Sequence, residues 1–265
     1  MRVVLFLLAY TLLQTAIGLL QPAFLPRTGF SFCISLLLVF SFTRWADRLA
    51  FSVTGIDASS FLYESALGLI TGIALTALIT AALMALHQLY WQHEVRWETA
   101  GFLSSLLAML LVAIAEELVF RGYVLRNLLT CMPPPAALLL SAIVFAVFHA
   151  GNPGVSWLPL LNIFLAGCLL GIRYLFSQKI GFGIGLHFSW NFLQGPVLGY
   201  AVSGITLPSV FTPVPGNNRL LTGGDFGLEG SLLSTIVLAL SVVIFYRAAR
   251  HHHARPAHNS RESQK

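Results

Sequence analysis

The residues best suited to chemistry lie in one apolar stretch, where two adjacent carboxylates, Glu116 and Glu117, are followed by Arg121. A charged side chain at the centre of a bilayer costs at least about 2.5 kcal/mol, so such residues often mark functional sites. On a helix, Glu117 and Arg121 have the i,i+4 spacing and the order that favour an ion pair. Glu116 lies about 100° around the helix from Glu117, which leaves it free to titrate. A buried structural ion pair beside a spare glutamate is the alternative interpretation.

Two histidines and an asparagine occur in later apolar stretches. His149 follows Phe145 with i,i+4 spacing, and His187 precedes Asn191 with the same spacing, so each pair shares a helix face. Alone, each histidine is more simply explained as a hydrogen-bonded packing residue. Together with Glu116, these groups cost less free energy if they converge on one hydrated cavity. Counted from the turn that joins their helices, Glu116 and His149 each lie at a depth of about 21 Å.

The composition shows what kind of fold must position these residues. Hydrophobic residues make up 57% of the 265 residues and charged residues 9%, whereas a soluble domain carries about 25% charged residues. The net charge of +5 does not indicate nucleic-acid binding, because five of the fifteen Lys and Arg residues lie in the tail from Arg247 onward. The three cysteines are far apart, which predicts neither a disulfide framework nor a cysteine–zinc site.

We predict an all-α fold, a polytopic transmembrane bundle of about eight spans. Residues 43–64 are polar enough for an interfacial segment, and residues 202–230, rich in Pro, Gly and Asn, predict a loop that is partly ordered and partly flexible. The predicted spans are residues 3–20, 29–42, 65–86, 102–129, 135–149, 157–176, 182–200 and 231–246. The glycines at 181–185 would let the start of the seventh segment pack closely against its neighbours.

The distribution of Lys and Arg predicts the orientation of the bundle. With the N-terminus inside, twelve of these residues lie on the cytoplasmic side and three lie outside. This asymmetry predicts that both termini are cytoplasmic. We divide the chain into N-terminal spans (1–99), a catalytic core (100–200), and an outside loop with the last span and basic tail (201–265).

Several other intramembrane chemistries are excluded by their missing motifs. No Asp lies within a predicted span, so an aspartyl protease pair is absent. The sequence also lacks the H-E-x-x-H helix of zinc proteases and the G-x-S-x-G nucleophile turn of serine hydrolases.

The motifs Glu116-Glu117-x-x-x-Arg121, Phe145-x-x-x-His149 and His187-x-x-x-Asn191, in this order on separate helices, resemble those of the CPBP intramembrane proteases. This family includes the type II CAAX prenyl endopeptidases and bacterial relatives tied to bacteriocin processing or immunity. The resemblance covers about residues 100–200.

The resemblance implies an intramembrane endopeptidase with its active site in a membrane-embedded cavity. It implies that Glu116 and His149 activate a water molecule, and that His187 and Asn191 stabilise the oxyanion. The ion pair of Glu117 with Arg121 would support these groups. A side-chain amide aimed at an oxyanion contributes about 3–4 kcal/mol of transition-state stabilisation.

Members of this family are often described as metalloproteases, and the residues themselves allow two mechanisms. Glu116, His149 and His187 are suitable as three zinc ligands with water as the fourth. They equally allow a metal-free glutamate mechanism, which we favour because Asn191 beside His187 is better explained as an oxyanion donor. We therefore commit to no cofactor and keep zinc as the alternative.

A protein of another class remains an alternative to the protease. A non-proteolytic bacteriocin-immunity-like factor or a proton-coupled carrier would use the same polar cluster as a relay. For the protease, the expected partners are a membrane-anchored protein or peptide substrate and the lipid bilayer. The expected location is the inner membrane of a bacterium.

Overall fold

The structure, a computed structural model, describes residues 1–20, 23–92, 95 and 97–254, the last three of these by their backbone alone. It is an all-α bundle, as predicted. The helices are α1 Arg2–Leu19, α2 Phe24–Ser41, α3 Phe61–Ala85, α4 Thr99–Glu117, α5 Arg126–Leu128, α6 Pro134–Phe148, α7 Trp157–Ser177, α8 Gly181–Phe192, α9 Arg219–Thr222 and α10 Leu232–Ala254. Two short strands, β1 Leu89–Trp91 and β2 Pro213–Pro215, pair in antiparallel fashion.

All eight predicted segments contain a helix, and six helices of the described residues are long and apolar enough to cross a membrane. The six are Arg2–Leu19, Phe24–Ala46, Phe61–Ala85, Thr99–Leu128, Trp157–Ser177 and Leu232–His251. The other two are shorter: α6 has 15 residues, and α8 has 12. Since a span needs about 20 residues, these two helices are short for a full crossing.

The long helix that begins at α4 changes its winding directly after the two glutamates. Residues Leu118–Leu125 form a π-helical segment, all of it buried, before α5 resumes the α-helix. The sequence analysis did not predict this segment. π-Helical turns within α-helices are rare and occur frequently at functional sites.

Helix α8 packs against α3 with almost no side chain between the two backbones. A Cβ atom added to Gly68 would lie 2.1 Å from the Phe182 carbonyl oxygen, and one added to Gly185 would lie 2.0 Å from the Ser65 carbonyl oxygen. Only glycine fits at such a contact. The close approach places the whole of α8 inside the bundle, as the glycines at 181–185 suggested.

One end of the bundle, here called the basic end, carries most of the cationic side chains. Arg2 and Arg126 both pair with Asp47, and Glu64 accepts two hydrogen bonds from Arg173. Eight of the described Lys and Arg residues lie at this end: Arg2, Arg44, Arg48, Arg126, Arg173, Lys179, Arg247 and Arg250. Arg255, Arg261 and Lys265 of the predicted basic tail, and Arg96 of the outside set, lie outside the described residues.

An ion pair at the basic end joins the start of α3 to the start of α8. The Lys179 Nζ lies 2.7 Å from Asp57, and this contact, with the hydroxyls of Ser60 and Ser59, holds the pKa of Asp57 well below its usual range. Because the folded-state pKa is depressed, the pair contributes stability above the ordinary aspartate pKa. That contribution is lost as the pH falls through the lowered value.

The opposite end is closed by residues 199–231, here called the cap. The structure differs from the predicted partly flexible loop, because the cap consists of tight turns that pack into the bundle. Strand β2 pairs with β1, and Phe226, Leu228 and Glu229 are buried. Gly204 and Gly227 have positive φ angles of 80° and 88°, and each turn brings its backbone against another segment.

The two ends predict a measurable topology. The cap end carries only Arg27 and Arg219 among the described Lys and Arg residues, against eight at the basic end. By the positive-inside rule, we expect the basic end to face the cytoplasm. Reporter fusions at Gln92, which lies beside the cap, and at the C-terminus should therefore report opposite sides of the membrane. The same side for both fusions would contradict this orientation.

Candidate active site

Three helices bring the polar residues of the predicted site together. Glu116 and Glu117 are the last two residues of α4, directly before the π-helical segment that holds Arg121. His149 follows the last residue of α6, and His187 lies in the middle of α8. The ends of α4 and α6 and the centre of α8 thus meet at one place inside the bundle.

Glu116 lies between the two histidines. Its Oε2 atom is 3.8 Å from the Nε2 atom of His149 and 3.8 Å from the Nε2 atom of His187. These separations are too long for direct hydrogen bonds. The Glu116 Oε2 atom is buried and has no hydrogen-bond partner among the residues that the structure describes. The three groups are therefore arranged to share a water molecule or a substrate atom.

The other ring nitrogen of each histidine is already engaged. The His149 Nδ1 atom lies 2.8 Å from the Phe145 carbonyl oxygen, which can only accept, so Nδ1–H donates and a neutral ring presents an accepting Nε2. The His187 Nδ1 atom lies 3.2 Å from Glu117 Oε1 and donates to that carboxylate. His187 thus sits between two carboxylates, and both of its nitrogens donate when the ring is protonated.

The predicted ion pair is present and buried. Arg121 donates to Glu117 at 2.8 Å, and their side chains are 2% and 0% exposed. Arg121 also donates to the Gly167 carbonyl oxygen at 3.0 Å, and its guanidinium lies 4.6 Å from the centre of the Phe145 ring. Glu117 therefore fixes both Arg121 and His187, while Glu116 makes no direct hydrogen bond to the described residues around it.

Glycine makes room for this buried carboxylate. A Cβ atom on Gly183 of α8 would lie 2.4 Å from Glu117 Oε2. A larger residue at this position would require the Glu117 carboxylate to shift.

The functional side chains open into a cavity of about 290 Å³. Glu116, His149, His187 and Asn191 all line it, together with apolar residues such as Phe145. Glu117 and Arg121 lie behind this wall. A mostly apolar cavity with a few convergent polar groups is typical of a site for a small or extended substrate.

Residues 96–193 match one family model, described as Type II CAAX prenyl endopeptidase Rce1-like. These residues form an Rce1-like domain. Neither the comparison with curated proteins nor the comparison with solved structures found a match. The matched range contains all six of the predicted site residues, and the family to which the model belongs implies a protease in a membrane.

The cavity of the Rce1-like domain is completed by residues outside the matched range, which the sequence analysis missed. Glu229 of the cap lines the cavity and accepts hydrogen bonds from Trp190 at 2.9 Å and from the Ser203 hydroxyl at 2.7 Å. Asn162 of α7 in turn donates to the Glu229 carbonyl oxygen at 2.8 Å. A lone acidic residue at the start of an apolar span was the available signal for this cluster.

Glu116, His149 and His187 have the ligand chemistry of a metal site but not its arrangement. One carboxylate and two imidazoles are suitable ligands for zinc. Within the part of the chain that the structure describes, however, no group of three or more His, Cys, Asp or Glu side chains is positioned to hold an ion. As placed, Glu116, His149 and His187 do not fit a zinc site.

Proposed function

We propose that this chain is an intramembrane endopeptidase that hydrolyses a peptide bond of a membrane-associated protein or peptide. The single observation that carries the proposal is the Glu116 carboxylate of the Rce1-like domain, which faces two histidine Nε2 atoms at the wall of a cavity. A carboxylate and an imidazole within reach of one water molecule are the groups that general-base hydrolysis needs.

The first step of the proposed reaction is attack by water. Glu116 removes a proton from a water molecule, whose second contact is the accepting Nε2 atom of His149. The oxygen forms a bond to the carbonyl carbon of the scissile peptide, and the carbonyl π electrons move to its oxygen. Glu116 keeps the proton as a carboxylic acid.

The second step is collapse of the tetrahedral intermediate. The protonated ring of His187 and the amide of Asn191, both lining the cavity, donate to the oxyanion. The carbon–nitrogen bond then breaks, and the proton held by Glu116 passes to the departing amine. Glu117 and Arg121 take no part in bond making and hold the His187 ring in place.

A test of this function uses purified protein and internally quenched apolar peptides, with and without a prenylated cysteine near the C-terminus. We expect one peptide class to be cleaved, and cleavage to fall by at least about a hundredfold in Asn191→Ala, because removing an oxyanion donor has that effect. A proton relay does not need such a donor. If the protein cleaves no peptide, and Asn191→Ala leaves its transport or immunity function unchanged, the non-proteolytic alternative would be favoured.

The same assay decides whether an ion takes part. If the side chains act alone, a strong chelator should leave the rate unchanged, and the active preparation should contain far less than one equivalent of zinc. Loss of activity with the chelator and recovery on adding zinc would overturn the metal-free scheme. Metal content should also be measured in His149→Ala, since a zinc site would lose its ion in that variant.

A further inference from the structure

Four arginines at the basic end have a single carboxylate beside them, that of Asp47. Arg2 of α1 lies 3.3 Å from Asp47 Oδ1, and Arg126 of α5 lies 3.5 Å from Asp47 Oδ2. Arg44 and Arg48 stand three residues before and one residue after Asp47, and both are exposed. Neither of these two side chains has an ion pair or hydrogen bond with any described residue. Four guanidinium groups against one carboxylate leave three positive charges in excess.

The segment that carries Arg44 and Arg48 is a closed turn. The Leu49 N–H donates to the Thr43 carbonyl oxygen at 2.9 Å, which encloses both arginines between its two ends. Asp47 lies in the same turn, and its side chain is only 2% exposed. The turn therefore keeps the backbones of the two unpaired arginines beside the buried, ion-paired carboxylate.

The other acidic side chains of the described residues are engaged elsewhere. At the basic end, Glu64 accepts two hydrogen bonds from Arg173, and Asp57 is paired with Lys179. The remaining described carboxylates lie at the candidate active site or at the cap end: Glu98, Glu116, Glu117, Asp225 and Glu229. The excess charge at the basic end thus has no counter-charge in the described part of the chain.

The two paired arginines keep donors for a further acceptor. Arg2 and Arg126 each contact Asp47 through one nitrogen only. A guanidinium carries five N–H donors in a planar fork, which matches the oxygens of a phosphate group. Contacts of this kind are charge-assisted and often bidentate. The cluster therefore has the chemistry of a phosphate site.

The position of the cluster distinguishes a lipid from a soluble anion. Arg2 begins the first candidate span, and the second candidate span, Phe24–Ala46, ends directly before Asp47. Trp45 is 69% exposed and packs edge to face against Phe40, which is 43% exposed. Exposed tryptophan at the end of a span is typical of the headgroup level of a bilayer. The guanidinium groups thus lie where lipid phosphates lie.

We propose that the turn at residues 43–49, together with Arg2 and Arg126, binds the phosphate of an anionic phospholipid. Basic clusters directly beside a transmembrane helix are typical of sites for anionic lipids. The inference does not depend on the proposed hydrolysis, because none of these residues lines the cavity. A free phosphate ion shares the chemistry of the headgroup, and the experiment separates the two.

The experiment uses the fluorescence of Trp45 as the reporter. Full-length protein is placed in phosphatidylcholine nanodiscs that contain a minor fraction of either brominated phosphatidylglycerol or brominated phosphatidylcholine, since bromine quenches nearby tryptophan. Trp45→Phe protein gives the signal of the other tryptophans, which is subtracted. We expect phosphatidylglycerol to quench Trp45 at least about fivefold more efficiently, because one arginine near the surface favours an anionic lipid by about that factor. Equal quenching by the two lipids would overturn the proposal.

Substitutions test whether the turn itself makes the site. The preference for phosphatidylglycerol should fall in Arg44→Gln and in Arg48→Gln, and should be lost in the double variant. Replacement of both residues by Lys should retain part of it, because the charge remains but the fork is lost. Arg247→Gln is the matched control, since Arg247 is exposed at the same end of the bundle but lies on α10. An equal loss in Arg247→Gln and Arg44→Gln would mean a general surface charge and would contradict the site.

Exchange of chloride for inorganic phosphate at constant ionic strength identifies the source of the phosphate. Quenching of Trp45 by brominated phosphatidylglycerol should not change, because the bilayer holds the lipid headgroup at the site. If inorganic phosphate removes the difference between the two lipids, the site takes a soluble anion and the lipid assignment is wrong.

Discussion

Replacing Glu116 with Gln should reduce peptide hydrolysis to background while the protein stays folded. The amide keeps the shape of the side chain but cannot remove a proton from water, and a general base typically contributes about 10²–10⁴-fold to the rate. Glu116 makes no direct hydrogen bond to its neighbours, since both histidine contacts are 3.8 Å. Among the described residues, the variant therefore loses no direct hydrogen bond. Turnover per folded molecule and the melting temperature in detergent are the two measurements.

Glu229→Gln is the matched control for this experiment. Glu229 is a second carboxylate that lines the same cavity, but Trp190 and Ser203 occupy both of its oxygens. This variant should keep substantial activity per folded molecule, although its melting temperature falls. If Glu116→Gln retains turnover and Glu229→Gln loses it, the cap carboxylate is the base and the proposed assignment is wrong.

Replacing Glu117 with Gln should differ from Glu116→Gln in its effect on folding. We expect a large loss of folded protein together with the loss of activity. Arg121 is 2% exposed and would be left without its counter-charge. Removing one partner of a buried ion pair costs about 3–5 kcal/mol. The His187 ring would also lose the carboxylate that orients it. Folded yield, detergent melting temperature and activity per folded molecule together report these effects.

Two further variants isolate the cause. Adding Arg121→Met to Glu117→Gln should recover part of the yield, because the unpaired charge is removed, but should not restore activity. Glu64→Gln is the comparison, since its partner Arg173 is 35% exposed and can be hydrated after the substitution, unlike Arg121. A Glu117→Gln protein that is as stable as Glu64→Gln and yet inactive would mean that Glu117 acts chemically, with the roles of the two glutamates exchanged.

The sequence predicted the pairing of the site residues because that information is local. The spacing of Glu117 and Arg121 decides which carboxylate the arginine neutralises, and the structure has this contact at 2.8 Å. The helical step of about 100° separates Glu116 from that pair. The cost of burying polar groups in lipid then predicted that Glu116, His149 and His187 would share one cavity, which they do. Their catalytic roles remain predictions.

The sequence did not reveal the segments whose conformation depends on packing. The π-helical turn at Leu118–Leu125 is mostly apolar apart from Arg121, and we find no local pattern in it that distinguishes it from an α-helix. The depth of α8 depends on contacts of Gly68 and Gly185 with the backbone of the neighbouring helix. Such contacts join residues far apart in the sequence, so no local pattern records them.

By itself, then, the sequence determined the helical class of the protein, the ion pair of Glu117 with Arg121, and the set of polar residues that must avoid lipid. These follow from composition, i,i+4 spacing and the cost of desolvation, each of which is a property of a single segment. Only the tertiary structure decided that Glu229 of the cap, and Gln14 and Arg27 of the first two helices, complete the wall of the cavity. Which side chains face a common space is set by how distant helices pack, and that packing is a property of the whole chain.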